Sequence, residues 1–197
     1  MSIVVEHEKR RYEILEKALD VFMDEGFEDA TFQKIADRCG ITRTTLYIYF
    51  KNKREIFNFT IKQFLSILEG DIAEIRKTKE SHTEKLVKVM TVIIERLEEN
   101  RRLLSVVLNY LVFMSKADYD PGDRVRRRTV RMRRILATML IDGIKAGEFI
   151  LDLNIKDANE LLYSFFETAI FRMVVLRRSS VGELKDAIKL VVRGFAV

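Results

Sequence analysis

Apolar side chains recur at intervals of three and four residues along almost the whole chain, and that period belongs to α-helices. Tyr12, Leu15, Leu19 and Phe22 keep it, widened by Ala18 and Met23, up to Gly26, which is placed to end a first helix. Thr31 can cap a short second helix with Phe32, Ile35 and Ala36 facing inward and Gly40 closing it, and Thr42 can cap a third running through Tyr47. Asn52 with Glu55 forms a capping-box pattern for a long fourth helix that carries Phe57, Ile61, Phe64, Leu68, Ile72 and Ile75.

The pattern continues beyond the polar stretch KTKESHT. Leu86, Met90, Ile93 and Leu97 mark a fifth helix, and Asn100 introduces a nearly continuous apolar sixth. Asp120, Pro121 and Asp123 make a start for a seventh that Gly147 can end. Asn154 opens an eighth, and Ser180 with Glu183 repeats the capping-box pattern before a ninth. There is one proline, no Asn-Gly hairpin signal, and the lone Asp-Gly pair, Asp142-Gly143, lies inside a helical pattern. The expected fold class is all-α with about nine helices.

Composition narrows the function. In 197 residues, 48% are hydrophobic and 33% charged, which describes a soluble folded protein with a real core. No apolar run reaches membrane-spanning length, and no secretory segment is visible, so a cytoplasmic location is expected. One cysteine, Cys39, excludes an internal disulfide, and with only His7 and His82 beside it a structural zinc site is not expected. There is no HExxH, phosphate loop or Gly-x-Ser-x-Gly, so no catalytic residues, no metal and no cofactor are expected and an enzyme is disfavoured.

A net charge of +5 and a pI near 9.3 favour anionic partners, and the placement of charge says more. Through Lys53 the chain has nine Lys or Arg against ten Asp or Glu, yet Cys39 to Arg54 holds Arg43, Lys51, Lys53 and Arg54 and no acid. The corner Cys39-Gly40-Ile41 between two short helices has the length of a helix-turn-helix. In that motif the second helix enters the major groove of double-stranded DNA. Arg43 carries the planar donor fork suited to guanine, and Thr44 or Thr45 can touch a thymine methyl or a phosphate. Tyr47, Tyr49, Lys51 and Lys53 offer donors to phosphate oxygens, and the helix starts at Thr31 and Thr42 add backbone N–H groups. Against this stands core packing: Leu46 and Phe50 share an inward face, which Tyr49 can join.

From Ile14 to Phe57 the chain resembles the N-terminal domain of the TetR family of transcriptional regulators. The shared frame is Ile14, Leu15, Ala18, Leu19, Phe22, Gly26, Phe27, Thr31, Ile35, Ala36, Gly40-Ile41-Thr42, Thr45-Leu46-Tyr47, Tyr49-Phe50, Lys53, Glu55 and Phe57. The resemblance implies a base-reading residue at position 43, backbone contacts from Thr45 and Tyr47, and a phosphate anchor at Lys53. Three positions depart from it. Thr44 stands where a small residue is common, Lys34 replaces an acid and removes the capping box of the second helix, and Cys39 replaces an alanine as a small buried filler.

The resemblance further implies a DNA-binding domain over residues 1–54, and an effector-binding and dimerisation domain over 55–197. Helices eight and nine would pair with their copies in a homodimer, through residues such as Leu161, Phe165, Ala169, Met173, Leu184, Ile188 and Val191. A mainly apolar or acyl-type small molecule would release the protein, most simply a repressor, from a near-palindromic operator. Asn109, Tyr110, Phe113, Met114, Met139, Tyr163 and Phe166 could line its site, or be ordinary core. The segment RVRRRTVRMRR, residues 124 to 134, is a solvated face, a seat for an acidic ligand, or a contact for phosphates or membrane; no membrane partner is expected.

Overall fold

The computed structural model describes the backbone of residues 2–116 and 122–197, and the side chains of residues 5–112 and 130–197. Among the described residues there are nine α-helices and a π-helical turn: α1 (Ser2–Asp29), α2 (Phe32–Cys39), α3 (Arg43–Tyr49), α4 (Lys53–Lys77), α5 (His82–Glu99), α6 (Arg101–Lys116), α7 (Gly122–Lys145), α8 (Ile155–Ile170) with the π-turn Phe171–Val175, and α9 (Glu183–Arg193). The extended pairing among them is an isolated bridge between Phe149 and Ala196. No described helix is long and apolar enough to cross a membrane.

Short-range capping signals set most of the boundaries. Gly26, at φ 79 and ψ 165, breaks α1 in a backbone region open essentially to glycine alone. Thr31 Oγ1 accepts from Lys34 N at 3.1 Å, and Gly40 ends α2 in the left-handed region at φ 67. There the Ile41 N–H returns to the Ala36 carbonyl at 3.1 Å and the Gly40 N–H to Asp37 at 3.0 Å, a Schellman ending. The Asn154 side chain accepts from the N–H groups of Lys156 and Asp157 and opens α8. Glycine at 147, with φ 73, follows the last turn of α7. Asp120 and Pro121 lie outside the described residues.

Two capping expectations need correcting. Asn52 Oδ1 does accept from Glu55 N at 2.9 Å, but the Glu55 carboxylate takes the Lys51 N–H at 2.5 Å, one residue before the expected donor. At α9, Ser180 and Glu183 form no box: Ser180 Oγ accepts from Gly182 N, and Glu183 Oε1 is held at 2.9 Å by both Arg172 and Arg178. Two guanidinium groups outcompete a backbone N–H for that carboxylate. A complete capping box stands instead at Ser81 and Glu84, before α5.

The chain forms two compact units, residues 1–66 with 102–119, and residues 67–101 with 120–197. The first has a core of Ile14, Leu15, Ala18, Val21, Phe22, Ile35, Ala36, Leu46, Phe50, Ile56 and Phe57, joined by Leu103 and Val106 of α6. Rings of Phe22, Phe27, Phe57 and Tyr110 meet within it tilted or edge-on, at centroid distances of 4.6 to 6.0 Å. In the second, α5 is buried along Leu86, Val89, Met90, Ile93, Ile94 and Leu97, with Leu136, Leu140, Leu162, Phe166 and Ile188 among its other core residues.

Candidate nucleic-acid interface

The inward faces of α2 and α3 are spent on the core, since Ile35, Ala36, Leu46 and Phe50 are all at most 1% exposed. What α3 turns to solvent is therefore fixed by its period: Arg43, Thr44, Tyr47 and Ile48 are exposed, and Thr45 and Tyr49 are half-buried. Ion pairs from α2 to α1 hold the corner, Lys34 with Glu25 at 2.5 Å and Arg38 with Asp24 at 2.9 Å. Lys34, which cannot complete a capping box, thus serves as a strut.

Arg43 is not a loose surface cation. Its Nη2 donates to the Tyr47 hydroxyl at 3.2 Å, and its guanidinium lies 5.7 Å from the Tyr47 ring centre. The Tyr47 ring rests on Phe32 of α2, 4.7 Å between centroids, so α2 supports the side chain that steadies Arg43. Thr42 caps α3 by accepting the Thr45 N–H at 3.0 Å, and the hydroxyls of Thr42 and Thr45 share a hydrogen bond of 2.8 Å. Thr44 is exposed and one turn before Ile48. Tyr49 stacks on His7 of α1, with centroids 4.7 Å apart.

The two lysines after α3 differ. Lys51 is exposed, whereas the Lys53 ammonium donates to the carbonyls of Phe27, Glu28 and Ala30 at 2.7, 2.6 and 2.9 Å. Burial draws its pKa below the ordinary lysine range, against the pull of Glu28 and Asp29. A lysine has three N–H donors, so Lys53 is saturated within the protein and is not standing free for a phosphate. Burial likewise raises the Cys39 thiol, with Arg10 and Lys17 acting the other way, which keeps it a poor nucleophile.

A basic, solvent-facing α3 on a buried helix-turn-helix scaffold is the geometry of a groove-reading helix. The sequence model of the bacterial regulatory proteins of the tetR family matches residues 14–58. The HTH-type transcriptional repressor KstR2 of Mycolicibacterium smegmatis is 31% identical over 156 residues, which span 79% of this chain and 73% of that protein.

The chain belongs to the TetR family.

TetR-family proteins are DNA-binding transcriptional regulators, and repressors are among the relatives of this chain. The fatty acid metabolism regulator protein of Bacillus subtilis is 25% identical over 167 residues, 83% of this chain and 82% of that one. The crystal structure of the transcriptional regulator FadR from Bacillus subtilis in complex with stearoyl-CoA shares the fold, with a TM-score of 0.71 at 20% identity over 94% of this chain and 99% of that one.

For a TetR-family chain, the residues expected to pair two copies divide unevenly. Ala169, Met173, Leu184 and Ile188 are buried within this chain and offer no surface to a partner. Leu161 is exposed, and Phe165 and Val191 are half-buried. The large apolar residues exposed on these elements are Leu161, Phe171, Val175, Leu176 and Leu190, of which Leu161 is among the residues named for pairing. Of the residues expected at a ligand site, Asn109 is exposed, and Tyr110 belongs to the aromatic core of the first unit, against Phe27 and Phe57. Met139 and Phe166 are buried in the second unit, and Tyr163 meets Phe166 edge-on at 5.8 Å. Arg133, paired with Glu160, lies 4.1 Å over the Tyr163 ring. The side chains of Phe113 and Met114, and those of the arginine run before Val130, lie outside the described residues. Arg131 pairs with Glu69 at 2.8 Å.

Proposed function

We propose that this chain is a homodimeric repressor that leaves a near-palindromic operator when an acyl-type small molecule binds it. The observation that carries the DNA half is the exposed Arg43, steadied by Tyr47, on a helix whose other face is buried. Arg43 reads a guanine, Thr44 and Lys51 border the same groove, and Thr45 and Tyr49 approach the sugar-phosphate chain through half-buried positions. Thr31 and Thr42 present the N-termini of their helices. Lys53 acts first as the tie that closes α1, and meets a phosphate only by giving up a carbonyl.

Residues 1–54 form the reader, and residues 55–197 serve effector binding and dimerisation. In this reading two copies pair through the exposed apolar residues Leu161, Phe171, Val175, Leu176 and Leu190, and a near-palindromic operator offers the two readers half-sites about one DNA turn apart, roughly 34 Å. In this reading the protein works in the cytoplasm and needs no membrane partner.

The acyl ligand is supported by the regulators of fatty acid metabolism among the similar proteins, and by Met139, Tyr163 and Phe166 as apolar contacts beside Arg133. Ligand binding shifts α4 and moves the readers out of register. The test is release of a fluorescent operator by acyl-CoA thioesters of graded chain length, with coenzyme A and the free acids as controls. Release that grows with chain length supports the reading, and an operator complex indifferent to all of them removes the ligand half of it.

A further inference from the structure

Ile48 is 68% exposed, as much as any large apolar side chain among the described residues of the first compact unit, and it is the last residue but one of the proposed reader helix. Isolated apolar side chains on a surface need no explanation, but this one has a place in a pattern. Arg43 and Tyr47, four residues apart and hydrogen-bonded, make a polar strip along α3. Thr44 and Ile48, each one residue on, make a second strip beside it, and both are exposed. Thr45 does not compete for the role of apolar contact, because its hydroxyl is tied to Thr42 and its side chain is half-buried.

Only one base presents an apolar group to the major groove, thymine with its C5-methyl. We infer that Ile48 is a specificity-determining residue that selects a thymine in each operator half-site through that methyl, with the Thr44 methyl group extending the same strip. The inference rests on the DNA-reading function proposed above. The five steps from Arg43 to Ile48 rise about 7.5 Å along the helix. At a spacing of about 3.4 Å per base, that is roughly two base steps. The selected thymine therefore lies within about two to three base pairs of the guanine read by Arg43.

The experiment replaces each thymine of a selected operator by uracil, which removes only the methyl, and measures affinity for the wild type and for Ile48→Ala. Because Ile48 is exposed, the variant keeps its unfolding midpoint, which is measured alongside. At one thymine per half-site, uracil weakens the wild type about fourfold, the factor for one buried methyl, and leaves Ile48→Ala unchanged. The inference is overturned if both proteins lose equally at every thymine, if neither responds, or if the operator holds no thymine in that window. A wild type that selects no duplex at all defeats the DNA-reading function itself, an outcome distinct from these.

Discussion

The Lys53 ammonium is bonded to the Phe27 carbonyl at 2.7 Å and sits 5.0 Å from the centre of the Phe27 ring, closing the end of α1 from the first residue of α4. Two more carbonyls, of Glu28 and Ala30, complete its coordination. Carbonyls at a helix end lack intrahelical donors, and a cation there also meets the negative end of the helix dipole. Replacing Lys53 by Met keeps the stem and removes the donors. We expect a loss of about 2 kcal/mol in urea unfolding, the scale of hydrogen bonds to a charged group. Lys51→Ala, by contrast, leaves stability alone and flattens the salt dependence of operator binding by about one. A Lys53→Met protein as stable as the wild type would return Lys53 to a phosphate-anchor role alone.

Phe171 and Leu190 are 52% and 75% exposed on the elements proposed to pair. Phe171→Glu or Leu190→Glu places a charge in that surface without disturbing the chain's own core. Each variant should run as a monomer in light scattering and bind the operator weaker by about a hundredfold or more, since two linked readers gain that much over one. The same substitution at Ile188, which is fully buried, should instead unfold the chain.

Gly143 lies inside α7, and a Cβ there would fall 2.2 Å from Phe149 Cδ2. Phe149 is 1% exposed and has no room to retreat. Gly143→Ala, which in an exposed helix would stabilise, should here cost about 1 to 3 kcal/mol by overpacking. Gly143→Ala combined with Phe149→Leu should recover part of the loss in thermal unfolding.

Glu148 accepts from the N–H groups of His82 and Thr83 at 2.9 and 3.0 Å, capping α5 from the segment after α7. Burial pushes its carboxyl up, but these two N–H groups, the Thr83 hydroxyl and the His82 charge outweigh it and hold the pKa below the ordinary carboxylate range. The folded pKa is thus below the unfolded one, so the contribution is complete above about pH 4.3 and is lost as pH falls through the folded value. Glu148→Gln should be less stable than wild type near neutral pH by about 1 kcal/mol, with the gap closing in acid. A gap that stays constant down to acid unfolding would show that the charge is not what caps the helix.

Capping contacts were legible in the sequence where donor and acceptor lie within a few residues, as at Thr31, Gly40, Thr42 and Asn154. They were not legible where the partner arrives from afar. Glu183 reads as half of a capping box because nothing local reveals that Arg172, eleven residues earlier, takes its carboxylate. Lys53 reads as a free cation because its acceptors lie 23 to 26 residues upstream. Helical period separates Leu46 and Phe50 from Arg43, and Ile48, apolar but off their face, is exposed. Period gives faces, and only packing tells which face meets water: Met173 and Ile188 are legible as apolar, and their burial within the chain's own core is not.

The account turns on α3 reading base edges through Arg43. The most direct measurement is selection of bound genomic fragments by the wild-type protein and by Arg43→Ala, at one fixed salt concentration. The account predicts a near-palindromic motif for the wild type, and for the variant the same motif with preference lost at one symmetric base pair, worth about 1 to 3 kcal/mol. Identical motifs for both proteins, or no enrichment of any sequence by the wild type, would contradict it.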